Sequence, residues 1–254
     1  MEDRMRRFVV LFAAALVLAR PAGAGEVLYQ HSTLSALMGG AYDGDLPVAE
    51  LLRHGDTGLG TYQGLDGEMV VVDGKAYQVK FSGGAAVADA RATTPFAQVV
   101  PFRPDGKVAI PAGLDLRGLE RALDGSLANI SRIQVVRMDG RFAGLRARSV
   151  AAQAAPYRVL TAIIPKEQAI FDMGEVEGSL IGFRFPPTAA GVNVPGWHFH
   201  FLTRDRTRGG HVLDLTTAAG EAALQEVAEW RVTLPAGIGA TSSGTPYDPK
   251  SQKN

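Results

Sequence analysis

Three of the chain's five histidines fall within one stretch, GWHFHFLTRDRTRGGHVLDL, residues 196 to 215. His198 and His200 stand two apart in a β-rich run, so both side chains leave the same face of a strand. The segment TRDRTRGG follows, and a hairpin centred near Asp205-Arg206 pairs residue 200 with residue 211. Directly opposed Cβ atoms lie about 4.5–5.5 Å apart, so His211 joins the same patch. Gly209 and Gly210 leave room for a bulge that would shift this register by one. Three converging imidazoles form a donor set for a divalent metal. Three histidines with an open position are the arrangement of catalytic zinc rather than structural zinc. Copper, nickel and manganese remain open alternatives.

Other polar residues divide by position. Glu68 starts the run EMVVV and shares strand parity with Val70 and Val72. A carboxylate on an apolar face needs a partner or a task. Arg148, in RARSV, shares its face by parity with Arg146 and Phe142. Asp214 has the opposite parity to His211 and stands outside the donor set. His54 sits in the last turn of an expected helix, where the helix dipole tolerates it. His31, just before a helix cap, also reads as structural.

Composition limits the remaining choices. The chain has 254 residues, 46% of them hydrophobic, enough for one large domain or two small ones. Its 26 basic residues balance 26 acidic ones, and nothing suggests a nucleic-acid partner. There is no cysteine, which excludes disulfides and thiolate metal sites. The opening MEDRMRRFVVLFAAALVLARPAGAGEV has a basic start, an apolar run of about a dozen residues and Ala22-Gly23-Ala24 as a cleavage site. That run is short for a bilayer span. Residues 1–24 are therefore expected to be a signal peptide, and the mature chain a secreted or periplasmic protein with no membrane contact. Cleavage removes four arginines and two acids, leaving a net charge of about −2.

The elements that must position these groups are mostly strands. STLSALMGG (32–40) and DLPVAELLRHG (45–55) read as short helices, the second capped by Asp45. GLGTYQGLDGEMVVVDGKAYQVKF (58–81) reads as an antiparallel meander turning at two Asp-Gly steps. QVVPF and KVAI add strands, and GLDLRGLERALDG (113–125) is a helix. IQVVRMDGRFAGLRARSV (133–150) is expected to be a hairpin about Asp139-Gly140. AAQAAPYRV follows as the expected domain junction. QAIFDM, SLIGFRF, WHFHFL, HVLDL and EWRVTL continue as strands, and the chain closes on a polar tail. The expected class is α+β, a two-domain arrangement of mixed and antiparallel sheets with short helices. The expected units are residues 25–150, an N-terminal α+β domain, and residues 151–238, a β-rich metal-binding domain. Residues 239–254 are the tail.

Several segments, in this order, resemble the α-acetolactate decarboxylase family. LYQHSTLSALMGGAYDGDLPVAELLRHGDTGLGTYQGLDGEMVVVDGKAYQV is similar to its N-terminal signature, and TTPFA (93–97) to its short TPF segment. RARSVAAQAAPYR resembles its Arg-Ser/Thr-Val segment, and GVNVPGWHFHFLTRDRTRGGHVLDL its metal motif. The resemblance spans about residues 27 to 234. It implies His198, His200 and His211 as zinc ligands, Glu68 as the acidic catalytic residue with Thr61 beside it, and Arg148 as the substrate-binding arginine. It also implies a dimer of two-domain α/β subunits that turns 2-acetolactate into acetoin and CO2, with no organic cofactor. The chain departs from the family pattern in three places. Ala151-Ala152 replace a Pro-Arg/Lys pair, and Phe199 replaces a residue that is usually acidic. The family's second active-site glutamate has no counterpart, because after Leu234 the only acid is Asp248. A non-catalytic metal-binding relative and a zinc hydrolase are the alternative readings of the same residues.

Overall fold

The structure is a computed structural model that describes residues 27–235. The expected signal peptide and the polar tail lie outside the described residues. In the first part of the chain the strands are β1 (Val27–His31), β2 (Leu46–Pro47), β3 (Thr57–Thr61), β4 (Glu68–Val72), β5 (Lys75–Val79), β6 (Ala85–Val87), β7 (Thr93–Thr94), β8 (Ala97–Val100) and β9 (Gly106–Ile110). They continue with β10 (Ile133–Val150), β11 (Gln168–Asp172), β12 (Val176–Phe185), β13 (Gly196–Thr203), β14 (Gly209–Thr217), β15 (Gly220–Val227) and β16 (Glu229–Thr233). Among the described residues four α-helices join them: α1 (Leu34–Met38), α2 (Val48–Leu51), α3 (Leu116–Ser126) and α4 (Leu160–Glu167).

One seven-stranded sheet runs β16-β1-β8-β3-β4-β5-β6. Its pairs are antiparallel except β1 with β16. The second sheet runs β12-β13-β14-β10-β15-β9, with β11 on β10. Its central strand β10 is long enough to serve two sets of neighbours. Residues 134–142 pair with β12, and residues 142–148 pair with β14. Because β13 pairs with both β12 and β14, these four strands close a ring. The sheets change over between Val100 and Gly106, and the last strand, β16, returns to the first sheet. The second sheet's β10 runs up to Val150, where the domain boundary was expected.

Apolar alternation decides which faces meet. Leu28, Leu59, Val70, Val72 and Val79 of the first sheet share a core with Val135, Ile181, Phe183 and Leu202 of the second. Phe142, Leu145, Ala147, Phe199 and Phe201 form another core beneath Leu119 and Leu123 of α3. α2 covers the far side of the first sheet with Val48 and Leu51. At one end, α1 and α4 close over Leu65, Phe96, Val150 and Val194. Burying each large side chain here contributes about 1.5–3 kcal/mol.

Several local expectations are corrected. No hairpin forms about Asp139-Gly140, because both residues lie inside β10 and pair with Ser179 and Gly178. Asp45 does not cap α2, whose N-cap is Pro47; its carboxylate instead meets His31 Nε2 at 2.6 Å. The pairing shift at 142/144 breaks the parity of β10, while the one at 146/147 has its extra residue, Leu213, on β14. Arg148 therefore does not share a face with Phe142, which is buried under α3. α2 ends at Leu51, so His54 lies beyond the helix rather than in its last turn, and its ring stacks on Tyr29 with centroids 3.8 Å apart.

Candidate metal centre

The three histidines meet where the two sheets part beneath α1 and α4. The β13–β14 pairing sets His200 opposite His211 and Leu202 opposite Gly209, as the hairpin arithmetic requires. The two glycines make this possible. A Cβ on Gly210, at φ +141, would lie 2.4 Å from the Arg148 carbonyl oxygen, and one on Gly209 2.3 Å from that of Phe201. Only residues without a Cβ let the three strands approach this closely. Arg148 pairs with His211 from the other side, so β10 delivers it to the same patch.

His198, His200 and His211 each offer a ring nitrogen, and these atoms lie within 4.8 Å of one another. His198 Nε2 lies 2.9 Å from His211 Nδ1. His200 Nδ1 donates to the Met69 carbonyl at 2.8 Å. That bond fixes the neutral tautomer and leaves the Nε2 lone pair facing the cluster. His200 Nε2 and His198 Nδ1 are buried without a hydrogen-bond partner. Buried polar atoms rarely stay unpaired, and a divalent cation supplies a partner for such a lone pair. The donor set and the orphaned nitrogen both fit a metal with three imidazole ligands and an open side.

Glu68 is 9% exposed and opens β4, facing the same space. Its Oε2 lies 3.6 Å from His200 Nε2. Burial pushes its carboxyl up to about 7, and the Arg148 charge pulls against that rise. A bound dication would draw it down further. Among the described residues it is the only carboxylate lining the cavity. Thr61 pairs with Glu68 across β3–β4, and its hydroxyl donates to the Gly67 carbonyl at 2.8 Å. This bond ties down the peptide just before Glu68. Arg148 Nη1 donates to Gln168 Oε1 at 3.4 Å, while its Nε is buried without a partner. Burial lowers its pKa and Glu68 opposes the shift, but a guanidinium stays charged. Its free donor is thus ready for an anionic oxygen. Leu34, Leu37, Leu160 and Ile164 complete an apolar wall around a cavity of about 60 Å³. Asp214 stays out of the cluster, but parity is not the reason: the pairing shift at 146/147 sets it opposite Arg146, on the same face as His211.

Sequence reasoning missed three contributors. The Met69 carbonyl is a backbone group with no residue signature. Gln168 starts a strand that was expected only as structure. α4, which roofs the cavity, was not read as a helix because LTAIIPKE holds two β-branched isoleucines and Pro165.

Burial holds the imidazoles neutral. His200 is lowered to about 4, and His198 and His211 fall well below their ordinary 6.5. The metal-free fold therefore binds fewer protons than the unfolded chain once pH drops below 6.5. Histidine-derived stability is complete above that pH and is lost as pH falls toward 4. Glu68, raised from 4.5 to about 7, works in the opposite sense. Three groups outweigh one. The chelator-stripped protein is expected to melt at steadily lower temperature between about pH 6.5 and pH 4.5. Thermal melts in chelator check this, and a flat or rising Tm on acidification would contradict it.

Comparison with known proteins places this geometry. The family model described as alpha-acetolactate decarboxylase matches residues 28–238. The alpha-acetolactate decarboxylase of Methanosarcina mazei is 45% identical over 213 residues, covering 84% of this chain and 74% of that protein. That of Klebsiella aerogenes is 38% identical over 211 residues, covering 83% and 81%. The crystal structure of alpha-acetolactate decarboxylase from Bacillus subtilis superposes with a TM-score of 0.85 at 31% identity, covering 89% of this chain and 97% of that one.

Proposed function

Because the chain belongs to the alpha-acetolactate decarboxylase family and has its activity as a carboxy-lyase, we propose that it converts 2-acetolactate to acetoin and CO2 at a zinc centre held by His198, His200 and His211. The observation that carries the zinc reading is the buried Nε2 of His200, unpaired and aimed at two further imidazoles.

Losing CO2 from a 3-oxo acid leaves negative charge on the former carbonyl oxygen. His198, His200 and His211 would hold the zinc, which would supply Lewis-acid stabilisation of that developing charge. Arg148 contributes a free donor and a fixed positive charge, placed to hold the substrate carboxylate until it departs. The apolar wall from α1 and α4 keeps water from the reacting carbons. Glu68 then delivers a proton to carbon to complete acetoin. Burial, which raises its carboxyl above the ordinary value, favours a group that can hold a proton before releasing it.

Thr61 acts through Glu68 by fixing the Gly67 peptide. Thr61→Val is expected to lower kcat about tenfold while zinc content stays unchanged. Steady-state kinetics beside elemental analysis check this; loss of zinc in the variant would move Thr61 into the metal's own surroundings.

Export rests on the leader-like residues 1–24, and N-terminal sequencing of secreted protein should begin at Gly25. Homodimerisation rests on the family resemblance and is read from solution mass. The function itself is tested by assaying chelator-stripped and zinc-restored protein for acetoin. Acetoin released only after zinc returns supports the reading. Zinc binding without acetoin would make the chain a binder, and ester cleavage without acetoin a hydrolase.

A further inference from the structure

Beside the metal cavity lies an open groove of about 550 Å³ that shares Arg148, Ile164 and His211 with it. The groove therefore borders the metal site across one layer of side chains. One wall is α4, contributing Thr161, Ile164 and Pro165; the strand side carries Arg146, two residues before Arg148.

Arg146 is exposed and sits opposite two acids, Asp172 on β11 and Asp214 on β14. Neither neutralises it by contact. An Asp172 oxygen accepts from the Gly174 amide at 3.1 Å, and an Asp214 oxygen from the Leu215 amide at 2.9 Å. Among the described residues the Arg146 guanidinium forms no ion pair. Of the two acids only Asp214 lines the groove, against both Arg146 and Arg148. The strand thus presents two guanidiniums in sequence, one in the mouth and one at the metal.

We propose that this groove is the entry path for the substrate anion and that Arg146 is its capture residue, passing the carboxylate on to Arg148. The proposal rests on the decarboxylase reading of the same site. The chemistry gives the device a direction. The substrate carries a carboxylate, whereas acetoin carries no charge, so a cation in the mouth draws in substrate without retaining product. Steering of this kind acts on encounter and fades as salt screens it.

The test compares the zinc-loaded parent with Arg146→Ala, Arg146→Lys and Arg146→Glu at low and high ionic strength. Arg146→Ala is expected to raise KM about three- to tenfold at low salt with kcat unchanged. Its kcat/KM should depend less on salt than the parent's. Arg146→Lys should restore KM, and Arg146→Glu should raise it further. A fall in kcat at unchanged KM, an unaltered salt dependence, or failure of lysine to rescue would overturn the proposal. Calorimetric binding of 2-hydroxyisobutyrate, an unreactive 2-hydroxy carboxylate, runs in parallel. If the parent shows no turnover, the decarboxylase reading fails, but the binding series still decides the groove. Weaker binding in Arg146→Ala, rescued by lysine, supports capture; equal binding in all variants, or none in the parent, overturns it.

Discussion

Replacing His200 with alanine is expected to give a folded chain that retains no stoichiometric zinc and makes acetoin at less than about a thousandth of the parent rate. The reason lies in where its two nitrogens go. Nδ1 is committed to the Met69 carbonyl, which leaves Nε2 as a lone pair fixed in direction and buried away from water. The nearest carboxylate oxygen, Glu68 Oε2 at 3.6 Å, is the group proposed to carry the proton. The substitution also strands the Met69 carbonyl, which costs about 1–3 kcal/mol. His198→Ala serves as its companion, because His198 makes no bond to the first sheet's backbone. Both variants should lose metal and the stabilisation it gives; against the chelator-stripped parent, only His200→Ala should lose clearly in Tm. Retention of zinc and full turnover in either one would refute its assignment as a ligand.

Glu68→Gln is expected to separate metal binding from catalysis. The amide fills the same space, so zinc content should stay at the parent level. Tm should hold or rise, because burial no longer works against a charge. The kcat should fall by about 10²- to 10⁴-fold, the usual contribution of a positioned proton-transfer group. The glutamine cannot release a proton to carbon, and no other carboxylate among the described residues lines the cavity. Steady-state kinetics with elemental analysis decide the matter. Activity within about tenfold of the parent would show that another group carries the proton. Asp248, the only acid after Leu234, would then be the next residue to replace.

The histidine cluster was legible because strand geometry is periodic. Once 202 pairs with 209, 200 must pair with 211, and both partners of each pair share a face. Glu68 was legible for the same reason, as a carboxylate in step with Val70 and Val72. Arg148 was harder. Its face could not be counted from Phe142, because a pairing shift in β10 between 142 and 144 intervenes and no residue type announces it. Asp139-Gly140 misled for a related reason. The pair favours a turn locally, but β12 pairs with both residues and Arg137 holds the Asp139 carboxylate at 2.7 Å, so the sheet overrides the propensity. β15 carried no signal, since GEAALQEV lacks β-branched and aromatic residues except its final valine. The roof over the site comes from α1 and α4, whose few apolar residues gain meaning only when packed against Val150 and Phe96.

X-ray absorption at the zinc edge, on protein assayed for acetoin release in the same preparation, tests the central claim most directly. The account predicts one zinc per chain with three imidazole nitrogens at about 2.0–2.1 Å and oxygen donors completing the sphere. Added 2-hydroxyisobutyrate should change those oxygen donors and leave the imidazoles in place. A sphere closed by protein ligands and indifferent to the hydroxy acid would contradict the account. So would full turnover by protein that holds no metal.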